Sequence, residues 1–218
     1  MRFPRWAYGI SAALVAGVTM ATAWFYPRLP ARMAIHWGPG GQADGFAPRA
    51  QAVWWMPVLM AFLAGLLFGL APFLEPWRHN LKRFRREYAA FGVGLLAFLA
   101  GMQGWVLAWN LGWHGDIRRF LALPLAALNG LLAWVLPRAR PNWFFGVRTP
   151  WTLSSPRVWQ ETHHLAGRLF ALAAGVSLVA VMWPALLWVA VAFMILGGLG
   201  GSVYSWRLYR RYEATRPY

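Results

Sequence analysis

Residues 165–206 read LAGRLFALAAGVSLVAVMWPALLWVAVAFMILGGLGGSVYSW, and this segment is the clearest indication of the fold class. It holds two apolar runs, Leu165–Trp183 and Ala185–Trp206, which are separated by Pro184. A helix of about 20 apolar residues, rising 1.5 Å per residue, crosses a hydrocarbon core of roughly 30 Å. Arg168 is the only charged residue within the stretch. The stretch therefore predicts two membrane-spanning helices with a tight reversal at the proline.

Four further apolar runs precede this stretch in the chain, namely Trp6–Tyr26, Ala52–Leu74, Tyr88–Trp109 and Phe120–Leu136. Of the 218 residues, 59% are hydrophobic and 12% are charged, whereas about 25% are charged in a typical soluble domain. The sequence thus predicts an all-α membrane protein, a bundle of six transmembrane helices. We divide it into an N-terminal helix pair with its outer loop (residues 1–74) and a four-helix membrane region (residues 75–218).

The positions of the basic residues predict the orientation of the bundle. The 21 basic side chains include a single lysine, Lys82. Fifteen of them lie at the N-terminus, in the second and fourth loops and in the C-terminal tail, whereas five lie in the opposite loops. Because short loops rich in Lys and Arg remain in the cytoplasm, we expect both termini on the cytoplasmic side.

The first apolar run permits a second interpretation. Arg2 and Arg5, the run itself and the A-T-A sequence at residues 21–23 resemble a secretory signal with its cleavage site. We favour an uncleaved membrane anchor, because the apolar run continues through Phe25 to full spanning length.

The net charge of +15 raises the alternative of a nucleic-acid partner. Proteins that bind nucleic acids gather their cations on one face or groove. Here the arginines fall in short clusters between long uncharged runs, which is typical of loops beside an anionic membrane surface. We therefore expect the lipid bilayer, and not a nucleic acid, as the partner.

The first outer loop, YPRLPARMAIHWGPGGQADGFAPR (residues 26–49), is too unusual to be a simple connection. Its G-P-G-G and D-G steps require turns, since glycine permits positive φ and proline fixes φ near about −65°. Such turns would bring His36 and Asp44 close together. Either this pair forms an ion or ligand contact, or Asp44 satisfies backbone amides within a folded cap, and we favour the second.

The fourth loop, RPNWFFGVRTPWTLSSPRVWQETHHLAGR (residues 140–168), is expected on the cytoplasmic side. Its four aromatic residues between positions 143 and 151 predict a segment that lies in the headgroup region or against the bundle. Ser155 followed by Pro156 is a helix-start signal, with a serine N-cap and a proline at the first helical position. The fifth helix is therefore predicted to begin before the bilayer core.

Three polar side chains within or beside the apolar runs are candidates for a functional role. Arg168 lies near the cytoplasmic end of the fifth span, where it either snorkels to the interface or pairs with Glu161. Gln103 and Asn129, deeper in the third and fourth helices, are candidates for interhelical hydrogen bonds.

The sequence lacks the common catalytic motifs. It contains no H-E-x-x-H, G-x-S-x-G, P-loop or dinucleotide fingerprint, and it contains no cysteine. His163 and His164 are adjacent, and neighbouring helical residues point about 100° apart, so the two imidazoles do not readily share one metal ion. We predict that the protein is not an enzyme and has no catalytic residue, no metal site and no cofactor.

Residues 142–167, NWFFGVRTPWTLSSPRVWQETHHLAG, are similar to the signature of the SdpI family. In that signature G-[IV]-R-T-P-W-T-[LM]-S precedes a tryptophan and a T-H-x-x-G element. The matching residues are Gly146, Arg148, Thr149, Pro150, Trp151, Thr152, Ser154, Trp159, Thr162, His163 and Gly167.

The first outer loop resembles the domain of unknown function that often lies upstream in the same family, with an L-P-x-x-[IM]-P-x-H…G…D-G pattern. The matching residues are Leu29, Pro30, His36, Gly41, Asp44 and Gly45. Ala34 and Arg49 depart from that pattern, in which proline and lysine are usual.

The resemblance implies a non-enzymatic, multi-pass protein of the bacterial cytoplasmic (inner) membrane. The best-known member of the family gives immunity to a secreted peptide toxin and signals by holding a small repressor at the membrane. A peptide toxin at the outer loop and a cytoplasmic repressor at the fourth loop are therefore the implied partners. The alternatives are a small-solute transporter or channel lined by Gln103, Asn129 and Arg168, and a membrane metalloenzyme that uses His36 or His163.

Overall fold

The computed structural model describes the backbone of residues 2–213, and six helices in this part are long and apolar enough to cross a membrane. In chain order the six spans are Arg5–Arg28, Arg49–Leu74, Arg85–Asn110, Ile117–Arg138, Pro156–Ala180 and Pro184–Tyr212. The predicted six-helix, all-α membrane architecture is confirmed.

The spans and their connections contain these elements: α1 (Arg5–Phe25), β1 (Arg32–Trp37), β2 (Ala43–Pro48), α2 (Arg49–Ala64), α3 (Ala71–Leu74), α4 (Arg78–Arg83), α5 (Arg85–Asn110), α6 (Ile117–Val135), α7 (Pro150–Ser154), α8 (Pro156–Ala180), α9 (Leu187–Ile195) and α10 (Gly201–Glu213). π-Helical segments at Gly65–Leu70 and Leu196–Gly200 join α2 to α3 and α9 to α10 without a break.

The fifth span begins nine residues before the apolar run that predicted it. Ser155 is the N-cap of α8, and its hydroxyl accepts a hydrogen bond from the Val158 amide at 3.4 Å. Pro156 occupies the first helical position, where its missing N–H group has no cost. The helix start predicted from Ser155 and Pro156 is therefore confirmed, and the first turns of α8 extend beyond the end of the fourth span.

Small residues allow the fourth and fifth spans to pack most closely. The buried residues of this interface include Ala122 and Ala126 on α6 and Ala166 and Ala173 on α8. A Cβ atom added at Gly167 would lie 2.8 Å from Pro137, so the glycine allows the two helices to meet. This contact also places Arg168, the next residue, level with the end of the fourth span.

Large apolar side chains cover the outside of the bundle, where a soluble protein would place polar ones. The most exposed include Met20, Trp24, Phe73, Met182 and Leu199. Lipid chains are the surroundings in which such a surface is stable, because the backbone polar groups of each span are satisfied inside its helix.

The first outer loop folds as a β-hairpin that its turn residues alone did not predict. Strand β1 pairs antiparallel with β2, and the register shifts on either side of His36. The tip closes through a hydrogen bond from the Gly38 amide to the Gln42 carbonyl at 2.9 Å, and Gly41 has φ 88°. That positive φ suits glycine, which has no Cβ to clash.

The spans place two groups of connections at opposite ends of the bundle. The hairpin face carries β1 and β2, the loop of residues 111–116 and the turn at Pro184. The basic face carries the residues before α1, the short helix α4, the segment of residues 139–155 and the end of α10. We expect the basic face in the cytoplasm, because it carries most of the arginines.

Cysteine labelling tests this orientation without interference, because the chain has no cysteine of its own. Gln42 and Ser154 are exposed on the hairpin face and the basic face, respectively. In intact cells we expect a membrane-impermeant maleimide to label Gln42→Cys and to leave Ser154→Cys unlabelled. Permeabilised cells provide the control, in which both variants react. Labelling of Ser154→Cys alone in intact cells would show that the orientation is reversed.

Candidate functional site

The motif segment (residues 142–167) forms an ordered turn, the short helix α7 and the first turns of α8. His163 lies at its centre and is buried. Its Nε2 accepts a hydrogen bond from the Val147 amide at 3.0 Å, so that nitrogen carries no proton. Its Nδ1 therefore donates to the Trp159 carbonyl at 2.7 Å. A neutral imidazole thus connects the loop to α8.

Gly146 allows the loop to approach this histidine. Its φ is 100°, and a Cβ atom added there would collide with His163 Nε2. The Trp159 ring stacks on the imidazole with centroids 4.0 Å apart, and its Nε1 donates to the Ala139 carbonyl at 2.9 Å. The glycine, histidine and tryptophan of the motif are therefore three parts of one structural contact.

Thr149 and Thr152 connect the motif segment to the sixth span. Thr149 caps α7 by accepting from the Thr152 amide at 3.2 Å, and the Thr149 amide donates to the Thr152 hydroxyl at 2.9 Å. The Ser205 hydroxyl donates to the Ser202 carbonyl at 2.6 Å. Its oxygen is therefore the acceptor for the Thr149 hydroxyl, which lies 3.0 Å away. The N-cap residue of α7 is therefore hydrogen-bonded directly to α10.

Glu75 was missed by our reading of the sequence, although it holds the loop in place. It follows the second span, its side chain is 1% exposed, and its two oxygens accept from the Trp77 and Trp143 amides at 3.0 and 2.9 Å. Asn80 adds a bond from its Nδ2 to the Pro141 carbonyl at 2.9 Å. The signal in the sequence was an acid placed directly after an apolar span, on the face otherwise rich in arginine.

The aromatic residues of the fourth loop are divided between the core and the surface. Phe145 is buried against Phe91, with ring centroids 4.8 Å apart, and also contacts Phe84 and Tyr88. Trp143 is half-exposed beside Trp77. Of the two predicted positions for this loop, the structure has the one against the bundle.

Arg148, Pro150 and Ser154 are the motif residues that face outward. The Arg148 Nη1 donates to the Trp143 carbonyl at 2.5 Å, which fixes the position of an exposed guanidinium group. Trp151 is half-buried beside them, whereas Thr152, Trp159, Thr162, His163 and Gly167 are buried. The buried part of the motif maintains the shape of the loop, and the exposed part presents the side chain of Arg148.

On the hairpin face, the side chains of His36 and Asp44 lie together. The first of the two alternatives, a contact made by this pair, requires that proximity. His36 Nδ1 and Asp44 Oδ1 are 2.6 Å apart, with side chains 70% and 45% exposed. Asp44 thus contacts the imidazole, whereas we had favoured a role in satisfying backbone amides. Gly45 allows the contact, because a Cβ atom there would lie 2.7 Å from the Cβ of His36. Ligand or ion binding by this exposed pair stays a prediction.

Asn110, at the end of the third span, attaches the hairpin to the bundle. The sequence patterns did not predict this role. Its Oδ1 accepts from the Ala34 amide at 2.8 Å, and its Nδ2 donates to the Ala34 carbonyl at 2.9 Å. Arg49 donates to the Leu29 carbonyl at 2.8 Å and packs over the Tyr26 ring. These contacts attach the hairpin to the first and third spans.

The hairpin tip also meets the start of the fourth span. A Cβ atom at Gly41 would lie 3.1 Å from Asp116, which caps α6 by accepting from the Arg118 amide at 2.9 Å. Hydrogen bonding to the Arg118 side chain lowers the pKa of the Asp116 carboxyl group. The cap is therefore charged at neutral pH, as suits a helix N-terminus.

The polar residues inside the spans have separate environments. Gln103 donates to Thr22 Oγ1 and to the Val53 carbonyl, each at 3.1 Å, and so joins the first three spans as predicted. Asn129 is buried, and neither its nitrogen nor its oxygen has a partner in the described structure.

Arg168 does not form the ion pair with Glu161 that we considered. Glu161 accepts from Arg157 Nε at 3.2 Å and from the Tyr212 hydroxyl, whereas Arg168 is exposed. Two helical turns separate positions 161 and 168, which is farther than i,i+3 or i,i+4 partners lie. An arginine that snorkels toward the headgroups agrees with its level near the end of the fourth span.

Among the side chains of residues 2–212, no group of three or more His, Cys, Asp or Glu is arranged to hold a metal ion.

Two protein-family models match the chain, one in its N-terminal part and one in its C-terminal part. Residues 138–205 match the SdpI/YfhL protein family, which covers the motif segment, the fifth span and most of the sixth. Residues 13–61 match a domain of unknown function, DUF1648, which covers most of the first span, the hairpin and the start of the second span. The resemblance proposed from the residues is confirmed in both regions. The comparisons with curated proteins and with solved structures gave no match.

Gly146→Ala tests the contact between the loop and His163. We expect a loss of about 2 kcal/mol or more in unfolding free energy, because a non-glycine residue with this φ is strained and its Cβ overpacks the site. The measurement is the thermal midpoint of the purified protein in detergent. Gly101→Ala, in open space on the third span, is the matched control and should not lower the midpoint. Equal midpoints for the two variants would contradict the assignment.

Glu75→Ala tests the link between the second loop and the motif segment. The part-buried amides of Trp77 and Trp143 would lose their acceptors, at a cost of about 1 kcal/mol for each hydrogen bond. We expect trypsin to cleave after the exposed Arg148 about tenfold faster, since the loop opens more often. Glu87→Ala removes a carboxylate that holds no loop amide in the described structure. It should digest at the rate of the unaltered chain, and a similar rate for Glu75→Ala would refute the link.

Proposed function

Since the chain is a membrane protein of the SdpI/YfhL family with an N-terminal DUF1648 segment, we propose that it provides immunity to a secreted peptide toxin. We propose further that it signals the presence of the peptide by sequestering a cytoplasmic regulator. The hairpin face would meet the peptide, and the exposed part of the motif segment would bind the regulator. The protein would act in the bacterial cytoplasmic membrane by binding and not by catalysis.

The observation that carries this proposal is that the third span contacts both family regions. At the hairpin face its last residue, Asn110, binds both backbone groups of Ala34. At the basic face its first turn packs on the motif segment, where Tyr88 and Phe145 have ring centroids 6.4 Å apart. A movement of the hairpin would therefore reach the motif segment through one continuous helix.

The hairpin face has the chemistry that a membrane-active peptide would require. The hydrogen-bonded pair His36 and Asp44 lies near Phe46 in the hairpin, and the Phe46 side chain is 52% exposed. Such peptides present polar and apolar groups together at the membrane surface. A ligand that bound better to one arrangement of the hairpin would shift the population of the bundle toward that arrangement.

The basic face supports binding of an acidic protein surface. Arg148 is exposed and fixed by its bond to Trp143, which is itself 49% exposed. Arginine and tryptophan are the residues most enriched at binding hot spots. The Thr149–Ser205 bond would link occupancy of this surface to the sixth span.

The proposal is tested by expressing the chain in a bacterium that is sensitive to a secreted membrane-active peptide and counting survivors. We expect protection by the unaltered chain and at least about a tenfold loss of survivors for Asn110→Ala, which releases the hairpin. Arg148→Ala should abolish binding of the regulator, measured by its recovery with membranes. Ser154→Ala, also exposed in the motif segment, is the control and should behave as the unaltered chain.

Membrane insertion of every variant is checked by the amount of protein extracted from membranes. If well-inserted Asn110→Ala protects as well as the unaltered chain, the hairpin has no part in immunity. If the unaltered chain gives no protection against any peptide tested, the immunity proposal is wrong.

A further inference from the structure

A cleft of about 670 Å³ opens on the basic face between the residues before α1, the start of α5 and the end of the fourth span. We call it the basic cleft, and its lining includes Arg2, Arg5, Trp6, Arg85, Arg86 and Trp134. Four arginines thus line one space, and no carboxylate residue is among its lining. None of these arginines takes part in the three ion pairs found within the described residues.

Like charges gathered around a cleft repel one another unless an anion lies between them. Arginine suits phosphate in particular, because its planar group donates two parallel hydrogen bonds to phosphate oxygens. We infer that the basic cleft binds the phosphate of an anionic phospholipid headgroup.

The position of the cleft selects a lipid over a soluble phosphate. The cleft lies where three apolar spans end, which is the depth of the headgroups. Trp6 and Trp134 are 44% and 42% exposed beside it, and tryptophan favours this interface. Arg138 stacks over the Trp134 ring, 5.2 Å from its centroid, and adds a further cation at the rim. A headgroup in the cleft would leave its acyl chains against the apolar sides of the first and fourth spans.

One wall of the cleft is held rigidly, so the site is formed before lipid arrives. Phe3 lies between Arg2 and Arg5 in sequence and is buried. Its ring stacks on Tyr88 with centroids 5.3 Å apart and meets Phe68 edge-on at 5.5 Å. Its amide also donates to the Tyr8 hydroxyl at 3.3 Å. The anchored phenylalanine keeps the two N-terminal arginines beside Arg85 and Arg86, which lowers the entropic cost of binding.

The test uses the full chain, purified in mild detergent with equal amounts of phosphatidylglycerol and phosphatidylcholine, and native mass spectrometry of the retained lipid. We expect the unaltered chain to retain phosphatidylglycerol selectively. Arg85→Gln with Arg86→Gln should weaken that preference about 25-fold, since each arginine at an anionic surface contributes roughly a fivefold factor. Arg207→Gln with Arg210→Gln removes the same charge elsewhere on the basic face and should leave the preference unchanged.

The inference would be overturned by equal retention of the two lipids by the unaltered chain, by equal loss in both double variants, or by displacement of phosphatidylglycerol by excess inorganic phosphate. The last would identify a site for free phosphate. The double variant Arg2→Gln with Arg5→Gln provides an independent test in case the Arg85 and Arg86 variant does not fold. If this second variant is folded and still retains phosphatidylglycerol selectively, the inference is also wrong. The outcome is independent of the proposed role in immunity, because no peptide or regulator takes part.

Discussion

Backbone groups that leave a helix close to the bilayer need hydrogen-bond partners from the protein, and the rest of this structure depends on meeting that requirement. Within a span the helix satisfies its own amides and carbonyls. At residues 142–149 the chain is neither helix nor strand, yet it lies against the bundle. Its backbone is satisfied by side chains, principally Glu75, Asn142, Thr152 and His163.

This requirement explains why the motif contains so many residues that do not face outward. Asn142 accepts from two successive amides, those of Phe144 and Phe145, at 2.9 and 2.7 Å. His163 serves the Val147 amide, and Gly146 is the residue that lets the backbone come so near. Most residues of this signature therefore maintain the conformation of the loop. The proposed binding is assigned to the few motif residues that face outward, among them Arg148.

The hairpin face meets the same requirement by a different means. The hairpin pairs its own strands, and Asn110 satisfies the backbone groups of Ala34 through both atoms of its amide. Each face is thus attached to the third span, at Asn110 on one side and at Tyr88 on the other. One helix therefore contacts both faces, and the proposed signalling would pass through it.

The spans, the start of the fifth helix at Ser155 and Pro156, and the two family regions were all predictable from the amino-acid sequence alone. These depend on local properties, because an apolar run must be buried in lipid whatever its neighbours are, and a capping serine acts on amides only a turn away. The residues that hold each loop in place depend instead on how the spans pack together. Glu75 and its partner Trp143 are 68 positions apart, and Asn110 and Ala34 are 76 apart. A carboxylate in a basic loop and an asparagine at the end of a helix have the same local pattern whether they face solvent or a buried amide. Their roles follow from which backbone groups the folded spans bring to them.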